Sequence, residues 1–367
     1  NNTKMENKRK DIDGSSQDNN NQAIVIKKQK TEDLAITPSA KSSSSAIIES
    51  TIPRTSKLEA PIMLLSGHKA EVYSIRFDPS GERLLSSSFD KTISLWNVYG
   101  DCENYAVLKG HSNAVLEANW TSDGYYVVSC SADKSFAFWD AGTAQRIKKF
   151  VGHSAIVNSV ANNKRGPLYV VTGSDDKTVR FWDVRNRTCS VTFNNQYPTL
   201  SVAVSDQAEQ IFSAGIDNVI KQYDIRKPTE PILVLTGHED SITGIKLSPD
   251  GSYLLSNSMD GSVRIWDIRP FVQGQRGLKF FYGIQHNFEK NLLRCCWSPD
   301  GSKISAGSAD RFVYIWDTAS KKILYKLPGH KGSVNDVDFH PKEPIVGSAS
   351  SDKTIFLGEI KQQDLFV

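Results

Sequence analysis

The chain has 367 residues, with 44 Lys+Arg against 41 Asp+Glu, five cysteines and 39% hydrophobic residues. Residues 1–57 hold ten of the basic and seven of the acidic side chains, so residues 58–367 carry 34 of each and no net charge. That balance excludes nucleic-acid binding through bulk charge, and the lack of an apolar run near 18 residues or of a leader predicts a soluble, unsecreted protein.

Residues 1–57 are rich in Asn and Ser (Asn19-Asn20-Asn21, Ser42 to Ser45) and poor in aromatics, which predicts a disordered tail. Two basic clusters, Lys8-Arg9-Lys10 and Lys27-Lys28-Gln29-Lys30, have the form of a two-part nuclear import signal.

From residue 58 the chain is periodic. Six of its seven histidines (His68, His111, His153, His238, His286, His330) mark one repeated position, and all but His286 follow a glycine. Asp90, Asp133, Asp176, Asp217, Asp260, Asp310 and Asp352 recur in phase. Six residues after each Asp stands Trp96, Trp139, Trp182, Tyr223, Trp266 or Trp316, with Gly358 the exception. Seven cycles of about 43 residues have the period of a four-stranded propeller blade. The predicted fold is therefore all-β, a seven-bladed β-propeller over 58–367.

Within each cycle, Pro79-Ser80-Gly81, Asp123-Gly124, Pro249-Asp250-Gly251 and Pro299-Asp300-Gly301 predict tight turns between the first two strands. Asp90-Lys91 and Asp260-Gly261 predict the next turn. Runs such as Val263-Arg264-Ile265-Trp266 have the β-branched and aromatic content of buried strands. Residues near 60–66 look like an outer strand and are expected to complete the last blade, whose third strand ends the chain near Ile360; this closure removes an open edge. The fourth cycle departs from the pattern with Asn194-Asn195, Gln222 and Tyr223, and the seventh with Gly358-Glu359. Phe271 to Tyr282 predicts a long aromatic loop.

His111, Ser129 and Asp133 together suggest a nucleophilic triad. The set recurs in most cycles, with Ser86, Thr172, Ser213, Ser256 and Ser348 at the matching positions and Ala306 in the sixth. An enzyme needs one such constellation, so no catalytic residues are assigned. The histidines sit on different blades, too far apart for one ion, and Cys102, Cys130, Cys189, Cys295 and Cys296 lack ligand spacing, so no metal or cofactor is expected.

The surface is the remaining place for function. The residue before each turn Asp is expected on the face of the histidine loops: Phe89, Ala132, Asp175, Ile216, Met259, Ala309 and Ser351. A second ring starts each innermost strand: Tyr73, Leu116, Asn158, Leu200, Thr243, Leu293 and Asn335. Exposed apolar groups mark partner sites, which nominates Tyr73, Phe89, Leu116, Leu200, Ile216, Met259 and Leu293.

The phasing of Gly110-His111, Asp133 and Trp139-Asp140 resembles that of the WD-repeat family. The resemblance implies a structural tetrad, here His111, Ser129, Asp133 and Trp139, in which Ser links the His–Asp pair to the indole. In some WD-repeat proteins an ending like Trp182-Asp183-Val184-Arg185, echoed at 223–226 and 266–269, docks a ubiquitin-ligase adaptor; a cullin-type substrate receptor is therefore the alternative function. Residues 97–102, 286–295, 307–314 and 323–330 resemble WD-repeat proteins of the splicing machinery more closely. That likeness implies a non-enzymatic nuclear scaffold in messenger-precursor splicing. Its implied partners are the large scaffold protein of the spliceosome's catalytic core and other U5 particle subunits, with RNA association indirect and no membrane or small-molecule substrate.

Overall fold

The computed structural model describes residues 54–360; the basic clusters of the tail lie outside them. Seven four-stranded antiparallel sheets follow one another along the chain. Blade one is Val72–Phe77, Arg83–Ser88, Thr92–Asn97 and Asn104–Lys109, from innermost to outermost. Blade seven takes three strands from the end of the described chain, Val334–Phe339, Ile345–Ser350 and Thr354–Glu359. Its fourth is Ile62–Ser66, paired from Ile62 opposite Gly358 to Ser66 opposite Thr354. His340 adds a second link on that closure, its Nε2 lying 2.8 Å from the Gly81 carbonyl of blade one.

The cores lie between neighbouring blades, as the sequence pattern requires. Middle strands are buried on both faces, so Leu85, Ile93 and Leu95 of blade one meet Val115, Ala118 and Val127 of blade two. Outer strands alternate instead: Leu108 is buried while Tyr105 and Val107 face outward.

Two boundaries differ from expectation. Within the described residues, Arg54 Nε lies 2.9 Å from Glu359 Oε2, and Lys57 N donates to Glu343 Oε2 at 3.0 Å. Residues 54–57 therefore clip onto blade seven rather than belonging to the tail. Half of the predicted aromatic loop is the outer strand of blade five, Gly277–Tyr282. Its residues alternate, with Phe281 buried in the core and Phe280 outside, a period that the density of aromatics hid.

Candidate partner-binding face

In blades one, two, three, five and seven the histidine loop meets the turn Asp of its own blade, so both lie at one end of the strands. In blade two, His111 Nδ1 is 3.0 Å from Asp133 Oδ2, and Nε2 is 2.8 Å from Ser129 Oγ. The carboxylate only accepts, so Nδ1 carries the proton and Ser129 donates to Nε2. Trp139 Nε1 then donates to Ser129 Oγ at 2.7 Å. Burial alone would raise Asp133, but hydrogen bonds from His111, Ser135 and the Ser112 N–H hold it well below the usual carboxylate range. Ser129 is wholly buried and committed at both lone pair and proton. It cannot meet a substrate, which removes the nucleophilic reading.

Blades one, three and five repeat this network through His68, His153 and His238. The incomplete blades rebuild it from other groups. In blade four, Tyr223 donates to Asn195 Oδ1 at 2.7 Å, and Asp217 pairs with Lys221. In blade seven, His330 keeps Asp352 and Ser348, and the Phe356 ring meets it edge-on at 4.7 Å. Blade six corrects the expectation for His286. Here Tyr314 donates to Asp310 Oδ2 at 2.6 Å, and the buried His286 Nε2 has no partner. With Ala306 replacing the serine, no hydroxyl remains to hold an imidazole against Asp310.

The network fixes a rigid rim. In six blades the ladder between the first two strands slips by one residue, at Tyr73, Leu116, Asn158, Leu200, Thr243 and Asn335. These are the residues of the second ring, and a bulge re-aims its extra side chain. Tyr73 and Phe89 stand together on blade one, ring centroids 6.3 Å apart and 76° between planes. Phe89 is 54% exposed. The pair borders a cavity of about 320 Å³ that Ala70, Glu71 and Lys353 of blade seven also line. Burial, with the neighbouring Glu71 charge and hydrogen bond, pushes the Tyr73 phenol up to about 12, so it stays a neutral donor.

The rest of the nominated face is narrower than expected. Ile216 is exposed and Leu116 and Met259 are half-buried, but Leu200 and Leu293 are buried. Leu293, only 1% exposed, precedes a shortened innermost strand, Cys295–Trp297, and turns inward there. Neither leucine offers surface to a partner. On the opposite face, Arg185 grips Asp183 with Nε and Nη2 at 2.9 and 2.7 Å. Arg269 does the same with Asp267. These endings are occupied by their own aspartates.

Sequence reasoning passed over the axis. Arg76, Glu117, Lys246, Arg294, Asp336 and Asp338 bring charge to the innermost strands or their heads. Arg76 bonds Asp336 and lies 3.6 Å from Glu117, and Arg294 lies 2.8 Å from Glu117. The signal was a charge at core positions of otherwise apolar innermost strands, as in Val115-Leu116-Glu117-Ala118.

Six segments of the chain, 59–97, 102–140, 144–183, 229–267, 282–317 and 321–357, match the family model described as WD domain, G-beta repeat. The chain belongs to the WD-repeat family. The fourth cycle, with its rebuilt network, falls in the unmatched interval. The chain is 54% identical over 316 residues to the U5 small nuclear ribonucleoprotein 40 kDa protein of Homo sapiens, covering 86% of this chain and 88% of that one. It is 48% identical to the Dictyostelium discoideum protein of the same name, across 97% of this chain and all of the other. Identity to the pre-mRNA-splicing factor cwf17 of Schizosaccharomyces pombe is 46%, over 86% and 93% of the two chains.

Proposed function

We propose that this WD-repeat protein is a non-catalytic interaction scaffold of the U5 small nuclear ribonucleoprotein in messenger-precursor splicing, and that blade one carries its main protein contact. It works in the nucleus, brought there by the two basic clusters of the tail. Its expected partner is the large scaffold protein of the catalytic core. The observation carrying the partner face is the Tyr73–Phe89 pair, an exposed phenylalanine against a half-buried tyrosine on a bulge, beside a cavity. Aromatic anchors surrounded by smaller residues commonly dominate an interface.

The test is sedimentation of the particle from cells expressing Tyr73→Ala with Phe89→Ala. The variant is expected to leave the particle while remaining folded. Tyr125→Ala, exposed on the opposite face, is expected to sediment as the unaltered protein does. Wild-type co-sedimentation of the double variant would place the contact elsewhere, and co-purification of a ubiquitin-ligase adaptor in place of splicing proteins would favour the cullin reading.

A further inference from the structure

Residues 283–294 join blades five and six and form the longest irregular connection on the histidine-loop face. The segment is tied down along its length. Gln285 N donates to Ser308 Oγ, and Gln285 O accepts from Ala309 N, both at 2.9 Å. Asn287 Nδ2 reaches Ser333 Oγ at 3.4 Å, and Asn291 Nδ2 reaches Ser351 Oγ at 3.3 Å. A turn closes where Lys290 N donates to Asn287 O at 3.2 Å. Arg294 then buries its guanidinium against Glu117. At the apex of this braced turn Phe288 is 98% exposed.

Basic residues flank the anchoring points in the chain. Ala309 is two residues from Arg311, Ser333 two from Lys331, and Ser351 two from Lys353; Lys290 lies in the turn itself. All four basic side chains are exposed. Glu289 is the acidic group within the turn, and the amides of Asn287 and Asn291 bond it at 3.2 and 3.4 Å. Asp310 and Asp352 are engaged by Tyr314 and His330. Arg311 and Lys353 hold left-handed backbone, φ 74 and 71, as Lys91, Lys134 and Lys177 do at the same turn position of blades one to three, where blade five has Gly261. Glycine adopts that conformation without strain and an L-residue does not.

We infer that this turn is a binding site for single-stranded RNA: an unpaired base stacks on Phe288, and Lys290, Arg311, Lys331 and Lys353 contact the flanking phosphates. A protein interface would need apolar surface around the ring, but the neighbouring groups are amides, hydroxyls and charges. A base needs only a flat aromatic face, and its backbone needs cations. The even charge of the propeller excludes binding by bulk charge and leaves room for a local site, so RNA contact here is direct rather than indirect. Lys353 also lines the cavity beside Tyr73 and Phe89, so the two sites border one another there, but Phe288 is no part of the blade-one pair.

The experiment is fluorescence anisotropy of a labelled twelve-nucleotide oligouridine with the full chain at low salt. Single strand is expected to bind more tightly than a duplex of equal length by about tenfold or more. Phe288→Ala is expected to weaken single-strand binding by about five- to hundredfold, and Phe288→Tyr to retain it. Lys331→Gln with Lys353→Gln is expected to flatten the slope of log affinity against log salt by about 1.4. Phe271→Ala, whose ring is 97% exposed on the opposite face, is the control expected to bind normally. Equal binding by Phe288→Ala, or by the duplex, would overturn the proposal. So would a photo-crosslinking residue at 288 that captures protein and no RNA in nuclear extract. Because Phe288→Ala should still co-sediment with the particle, failure here is distinguishable from failure of the blade-one reading.

Discussion

Arg294, just ahead of the innermost strand of blade six, spans the axis to Glu117 of blade two, with Nη1 2.8 Å from Oε2. Its Nη2 lies 3.1 Å from the Asn158 carbonyl of blade three. Glu117 also accepts from Ser159 Oγ and from Val160 N. Burial alone would raise this carboxyl, yet Arg294, then Arg76 and Lys246, hold it below its ordinary value. A single guanidinium thus joins three blades that are not all neighbours, adding a cross-brace to a ring otherwise held by adjacent contacts.

Removing one partner leaves the other charge buried and unpaired. Arg294→Ala is expected to lower stability by about 3–5 kcal/mol in a urea titration. Glu117→Gln with Arg294→Met should cost clearly less than the sum of the two single changes. Additive losses would mean the pair is not coupled.

The tetrads give a second stability test. Asp133→Ala strips His111 of its acceptor and frees the Ser112 N–H, with an expected loss of about 1.5–3 kcal/mol. Asp217→Ala should cost clearly less, since its strong contact is Lys221, 2.6 Å away near the surface. Equal losses at the two positions would show that the histidine adds nothing.

The propeller was legible because three residue types keep phase over the whole ring, and each has a local physical reason. Tyr73 and Phe89 were legible through the same register. Leu200 and Leu293 were not, because register states which end of a strand a residue occupies and cannot say how deep a neighbouring loop lets it sink. Phe288 was invisible as surface for the converse reason: a phenylalanine among Asn, Glu and Lys in a loop carries no period. His286 shares the spacing of the tetrad histidines but not their chemistry, since the serine that would hold it is Ala306 and Tyr314 has taken the aspartate.

Closure of the ring depends on a glycine. Gly81 holds φ 85, and a Cβ there would lie 2.3 Å from His340 Nε2. Gly81→Ala therefore adds a clash to left-handed strain, with an expected loss of about 2–4 kcal/mol. Gly251→Ala is the matched comparison: φ is 72 but nothing lies within 4 Å of the new carbon, so about 1 kcal/mol is expected. Similar losses in thermal unfolding would show that the His340 contact yields freely.

Import can be separated from folding. Neutralising Lys8, Arg9, Lys10, Lys27, Lys28 and Lys30 is expected to move a reporter fusion to the cytoplasm and leave the propeller's unfolding midpoint unchanged. An unchanged nuclear signal would assign import to a partner or to another segment.

The axis also makes stability depend on pH. Asp338 accepts from the Phe77 N–H at 2.9 Å. Burial pushes its carboxyl up to about 6, opposed by Arg76, the Phe77 N–H and Lys246 and helped by Asp336. A carboxyl raised on folding binds its proton more tightly in the folded state. Its contribution is therefore fully present below the ordinary aspartate value near 4 and is lost as pH rises through about 6. Asp338→Asn fixes the uncharged form. Asp338 keeps part of its surface open, so the full shift is discounted, and the variant should exceed the wild type by about 1–2 kcal/mol at pH 8. The gap should shrink toward pH 5. Asp90, Asp133, Asp260 and Asp352 are held low and act in the opposite sense, stabilising above their unfolded values and losing that as pH falls. They are common to both proteins and cancel in the difference. Urea titrations of the two proteins at pH 5 and pH 8 read that difference directly. A gap that ignores pH, or a wild type more stable at pH 8, would show that Asp338 is held as a carboxylate by Arg76 and Lys246 throughout.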